Sequence, residues 1–142
     1  MDDIRKKLNL KHEHLLIVQL PPELEADFGE QHGWTKYESM PKVRPDAVLA
    51  FAKNKEELQA LLPEVMGQVE AKTIVWFAYP KKSSRRYKSD ISRDVGWEGL
   101  IPFDYDPVRQ IALSEDWSAL RFRPLGEIPN RTERMIRPAG DE

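Results

Sequence analysis

Three apolar runs of strand length constrain this chain more than any other feature: LLIVQL at 15–20, AVLAFA at 47–52 and TIVWFAY at 73–79. A strand with one face in water alternates polar and apolar residues. A run that is apolar at nearly every position is buried on both faces, as in the interior of a parallel sheet. The segments between the runs fit that arrangement. Leu58, Leu61, Leu62, Val65, Met66 and Val69 recur at i, i+3, i+4, i+7, i+8 and i+11, one face of a helix. Asn54 is a suitable N-cap for it, with Glu57 three residues on. Pro63 lies inside this helix and its ring opposes the carbonyl four residues earlier, so a kink or two helical pieces meeting near Leu62 is expected.

After the first run, Pro21 and Pro22 stop the strand, and Pro22 suits a first helical turn. Leu24 and Phe28, with Gly33 beyond, predict a short helix over 23–31. A second strand is predicted at 34–39. A further helix is capped by Ser89 or Asp90 and reaches about Gly99. Gly96 and Gly99 weaken it by propensity, and a glycine on its inner face allows close packing. Strands at 108–113 and 117–123 form a hairpin through the turn SEDW, with Ser118, Leu120 and Phe122 alternating with Trp117, Ala119 and Arg121.

The order β-α-β-β-α-β-α-β-β predicts a three-layer α/β fold around a mostly parallel sheet of about six strands. Right-handed crossovers favour the order 2-1-3-4-6-5, closed by a C-terminal antiparallel hairpin. The connection over 39–46 lacks a helix, but an extended segment of that length spans roughly 25 Å and can return along one strand. At 142 residues, 40% hydrophobic and 32% charged, the chain fits a single domain over 1–124. Residues 125–142 read as an extended or disordered tail, or as an arm against a partner.

Composition narrows the function. Net charge is −2, so no global field draws the chain to nucleic acid or anionic lipid. There is no cysteine, which excludes disulfides, thiolate metal sites and cysteine nucleophiles. His12 and His14 alternate on a strand without a nearby third ligand, and His32 stands apart, so no metal site is expected. No signal-peptide or membrane-spanning run is present, and a cytoplasmic protein is expected.

YPKKSS at 79–84, SDISRDVGW at 89–97 and DWSALRF at 116–122 resemble a small bacterial family of unknown function with a reduced class I methyltransferase-like (Rossmann-like) fold. From Asp46 onward the chain also resembles the later half of class I methyltransferase domains: strand, helix, strand ending in a turn, helix, antiparallel hairpin. The resemblance implies a fold and carries no activity. It breaks at the first loop, where methyltransferases place a glycine-rich turn that lets the backbone approach the adenosylmethionine carboxylate. Here that position reads QLPPELEADFG, with two prolines that donate no amide. No cofactor is therefore expected. Glu38, at the end of the second strand, is either an echo of the ribose-binding acid or a surface glutamate.

The loop after the fourth strand holds the candidate site. Lys81, Lys82, Arg85 and Arg86, with Ser83, Ser84 and Ser89, could gather around an anion at the start of the next helix. The alternative is a solvated loop. Asp90 and Asp94 read as first-turn acids that stabilise the helix dipole, or as a general base beside the cations. Asp116 reads as a turn residue and Trp117 as a packing anchor. Arg121, on an inward face, needs a partner, either a carboxylate or a bound anion. The expectation is a non-catalytic binding or interaction module that takes a small anionic or phosphate-bearing ligand, or an acidic protein segment, with nucleic acid and membrane not expected as partners. The alternative is a divergent transferase or phosphate-ester enzyme on the same scaffold.

Overall fold

A computed structural model describes residues 4–29 and 33–137 of the chain. Its strands are β1 (Leu15–Val18), β2 (Thr35–Tyr37), β3 (Ala47–Phe51), β4 (Ile74–Pro80), β5 (Tyr105–Ala112) and β6 (Trp117–Pro124). They form one six-stranded sheet in the order β2-β1-β3-β4-β6-β5. β2, β1, β3 and β4 are mutually parallel, and β6 runs antiparallel to both β4 and β5. This is the expected α/β order. Every residue of β1, β3 and β4 is buried, which is why the three runs carry almost no polar side chain.

Alternation along each strand sends side chains to two cores. On one face Val48, Ala50, Val75 and Phe77 pack under helix α2 (Lys55–Met66) through Leu58, Leu61, Leu62 and Val65. The Asn54 side chain accepts from the Glu57 amide at 2.9 Å and caps α2. α2 continues through Pro63 as one helix rather than two pieces. On the other face Ile17, Leu49, Phe51 and Trp76 meet Leu8, Leu10, Leu24 and Phe28. Among the described residues that layer has no long helix. It consists of α1 (Ile4–Lys7), the segment after it, and the loop before β2. The Trp76 indole N–H donates to the Leu8 carbonyl at 3.1 Å, which fixes the segment across the sheet. The charged N-terminus thus hides Ile4, Leu8 and Leu10 in the core.

Two predicted helices are corrected. The one expected over 23–31 is a single 3-10 turn, Pro22–Leu24, followed by tight turns to Phe28; residues 30–32 lie outside the described residues. The one expected from Ser89 to Gly99 does not form. Gly96 sits at φ 112, outside helical space, and only Glu98–Phe103 makes a 3-10 helix. Gly99 does provide close approach, but to α2: a Cβ there would lie 2.8 Å from Leu62 Cδ1. Residues 125–137 run along the sheet edge, anchored at Asp106. This carboxylate is fully buried and accepts from Arg131 Nη1 at 2.8 Å, the Met135 amide at 2.9 Å and the Ile136 amide at 3.1 Å. Pro107 is tolerated because β5 is an edge strand, and its carbonyl accepts a bond from Arg131.

Candidate functional site at the carboxyl edge of the sheet

In an open α/β sheet, ligands gather where strand order reverses, outside the carboxyl ends of the strands. Here that place lies beyond β1 and β3. After Val18 the chain turns at Gln19, in the left-handed region at φ 60, and the Gln19 amide is spent on the Tyr37 carbonyl at 2.8 Å. Pro21 and Pro22 follow and offer no amide. The 3-10 turn then delivers Glu23 inward. Its Oε2 accepts from the Tyr87 hydroxyl at 2.6 Å and the Trp117 indole N–H at 3.0 Å, with Arg86 Nε 3.9 Å away. Burial pushes the Glu23 carboxyl up, but the bonds from Tyr87 and Trp117 outweigh it and the net shift is downward. Burial, and then the bond to Glu23, push the Tyr87 phenol up to about 12. The first turn is thus stapled to the basic loop and to β6 by an internal carboxylate.

A half-open cleft of about 310 Å³ lies beside this staple, lined by Gln19, Glu38, Phe51, Lys53, Glu57 and Trp117 among others. Glu38 is exposed at its rim, and Glu57 also accepts from the Lys53 amide at 3.1 Å.

The basic loop is brought together only in part. Ser84 Oγ donates to Asp116 at 2.8 Å and accepts from the Arg86 and Tyr87 amides, so it organises the loop itself. Arg86 lies 3.5 Å from the same Asp116. Ser89 Oγ accepts from the Ile91 amide at 3.1 Å. Among the described residues, the side chains of Lys81, Lys82, Ser83 and Arg85 make no hydrogen bond or ion pair, and the latter three are exposed. The helix whose amides were to complete the site is absent. Asp90 accepts from the Lys55 amide at 2.8 Å and so serves α2, while Asp94 pairs with Arg93 at 3.4 Å. Trp117 is a packing anchor, its ring edge-on to Phe51 at 5.2 Å. His14 bonds Thr35 at 2.8 Å, and no three potential metal ligands cluster among the described residues. His32 lies outside them.

Reading the sequence missed Glu23, whose partners lie 64 and 94 residues away, and Asp106, which the tail covers. It also missed a cleft of about 320 Å³ between β5, the 93–97 segment and the tail, floored by Trp97, Leu120 and Ile136. No helix among the described residues is long and apolar enough to cross a membrane.

No protein-family model matches the chain, and no curated protein matches it in sequence. Solved structures do. The ribosomal protein L11 methylase from Lactobacillus delbrueckii subsp. bulgaricus aligns with a TM-score of 0.52 at 9% identity, over 85% of this chain and 76% of that one. A TehB-like SAM-dependent methyltransferase from Corynebacterium glutamicum gives 0.51 at 6% identity, over 85% of each chain. DhpI in a SAM-HEP complex gives 0.51 at 14% identity, over 84% of this chain and 72% of that one. At such identities the likeness speaks for architecture, and with the strand order above it shows that this chain has a reduced, methyltransferase-like Rossmann fold.

Proposed function

We propose that this chain is a non-catalytic binding module on a methyltransferase-like scaffold, and that its ligand is a small anion held at the basic loop. The observation that carries the non-catalytic reading is the staple at Glu23. Where a methyltransferase needs free backbone amides around a cofactor carboxylate, this chain has two prolines, a spent Gln19 amide and a carboxylate of its own. A second carboxylate beside Glu23 would meet like charge. The anion reading draws on Lys81, Lys82, Ser83 and Arg85, whose side chains are uncommitted, framed by Ser84, Arg86 and Ser89, which shape the loop. Exposed contacts of this kind contribute on the order of 1 kcal/mol or less each, so binding is weak and salt-sensitive.

The second reading, a divergent transferase, draws on the cleft beside Gln19, Glu38 and Lys53. Calorimetry separates the two. Adenosylmethionine should show no stoichiometric binding below a Kd of about 10 μM, roughly −7 kcal/mol; binding tighter than that overturns the module reading. Inorganic phosphate should bind in the millimolar range or tighter. The variant Lys81→Gln/Lys82→Gln/Arg85→Gln should keep its melting temperature and lose at least tenfold in that affinity. Unchanged affinity removes the loop as the site.

A further inference from the structure

The terminal hairpin carries a group of cations on the opposite side of the sheet from α2. Arg121 stands opposite Arg109 on β5 and opposite Trp76 on β4. Alternation along β6 puts Arg121 and Arg123 on the side of Trp117 and Ala119, the side covered by the N-terminal segment. Like charges directly opposite each other across a ladder repel. Arg121 Nε is also buried with no hydrogen-bond partner. Desolvation, with repulsion from Arg123 and Arg109, lowers the Arg121 pKa. An arginine does not escape by losing its proton, so the cost is borne by the fold.

The available carboxylates relieve it only in part. Glu13 acts favourably on Arg121 through its charge but forms no ion pair with it, and its Oε1 accepts from the Lys11 amide at 2.7 Å. Asp106 is opposite Arg123 in register, yet its oxygens serve Arg131, Met135 and Ile136. Among the described residues, none of the three arginines forms an ion pair. A buried unsatisfied donor is uncommon in a native structure and calls for an explanation, and beside two like charges a bound anion is one that answers both the donor and the charge. The geometry selects the ligand. Cross-strand and i, i+2 neighbours on a sheet lie on the order of 5 and 7 Å apart, so guanidinium forks from these positions can close on one centre. A carboxylate is planar, and its two oxygens match one fork bidentately, with further donors only at its edges. A phosphoryl group has three oxygens, distributed tetrahedrally, and accepts from several forks at once.

We propose that Arg121, with Arg109 and Arg123, binds a phosphoryl group on the face of the terminal hairpin. This site stands apart from the basic loop: Arg121 is level with Trp76, four residues or about 13 Å along β4 from Pro80. The test titrates pyrophosphate into the full chain by calorimetry at 20 and 200 mM salt. Wild type, Arg121→Gln, Arg109→Gln and the loop variant described above are compared. Pyrophosphate affinity at the hairpin should fall at least tenfold in both hairpin variants and survive in the loop variant. Without ligand, Arg121→Gln should melt at or above the wild-type temperature, because a neutral side chain removes the repulsion. Arg109 is exposed, so Arg109→Gln reads the site even if position 121 proves sensitive. A short oligonucleotide distinguishes the sources. If it binds and loses affinity with Arg121→Gln, the phosphoryl group is that of a nucleic-acid backbone; if pyrophosphate alone binds, it is that of a small metabolite. Affinity unchanged by both hairpin variants, absence of binding at 10 mM, or capture of an oligoglutamate in preference to pyrophosphate each overturns the proposal.

Discussion

Replacing Asp106 by alanine should release the C-terminal segment and lower the stability of the whole chain. The carboxylate is fully buried and holds three donors: Arg131 and the amides of Met135 and Ile136. Removing one partner of a buried pair usually costs about 3–5 kcal/mol, because the other charge is left stranded. Here Arg131 retains 23% exposure and the segment can swing into water, so the stranded charge is rescued. The cost is then capped by what docking the segment contributes. Burial of Ile136 accounts for roughly 2 kcal/mol, and the net gain from the charge-assisted bonds adds about 1 kcal/mol more. A loss of about 2–3 kcal/mol should lower Tm by roughly 6–10 °C for a chain of this length. Calorimetric melting gives the magnitude, and hydrogen exchange at Met135 and Ile136 gives the location. Asp106→Asn, which keeps an acceptor but no charge, should fall between. The reasoning fails if Asp106→Ala melts within about 1 °C of wild type with both amides still protected.

Other consequences are equally direct. Glu23→Ala leaves the Trp117 indole and the Tyr87 hydroxyl without their acceptor and should cost about 3 kcal/mol in urea denaturation. Because the Glu23 pKa is lowered on folding, the stability it contributes is present above the unfolded value of about 4.3 and lost as pH falls through the folded value. The gap between wild type and Glu23→Gln should therefore be constant at neutral pH and shrink below about pH 4. Tyr87 has the opposite sign: its pKa is raised to about 12, so its contribution holds below about pH 10 and fades between there and pH 12. Absorbance at 295 nm should show wild type titrating one more late phenol than Tyr87→Phe. Gly96→Ala forces a side chain into φ 112 and should destabilise by about 2 kcal/mol although the space around it is adequate; a neutral result would mean the loop relaxes freely.

The strand order was legible because it rests on long apolar runs and on handedness rules that apply whatever the details. The helix over 55–66 was legible for the same reason, since its period and its Asn54 cap agree. Shorter segments were not. Leu24 and Phe28 have helical spacing, but four residues cannot distinguish a helix from turns that point both inward. Gly96 in a sequence signals only a weak helix former, whereas its backbone at φ 112 excludes the helix. The basic loop was legible as a cluster of residue types, but not as a structure. Which hydroxyls and cations stay free depends on Asp116 and Glu23, which arrive from distant parts of the chain. An inward arginine on an alternating strand, such as Arg121, calls for a partner, but the sequence does not say whether that partner is a carboxylate or an anion.

The position of β6 bears on how the protein is made. It is synthesised after β5, yet it lies inside the sheet, between β4 and β5. Until residues near 124 have left the ribosome, β4 presents an open hydrogen-bonding edge along IVWFAYP, an uncharged aromatic segment. Such an edge is a template for pairing with another chain. Neighbouring nascent chains therefore compete with the hairpin for the same ladder. A chain terminated shortly after β5 should be insoluble, whereas one terminated beyond residue 137, with β6 and the segment docked on Asp106 in place, should not.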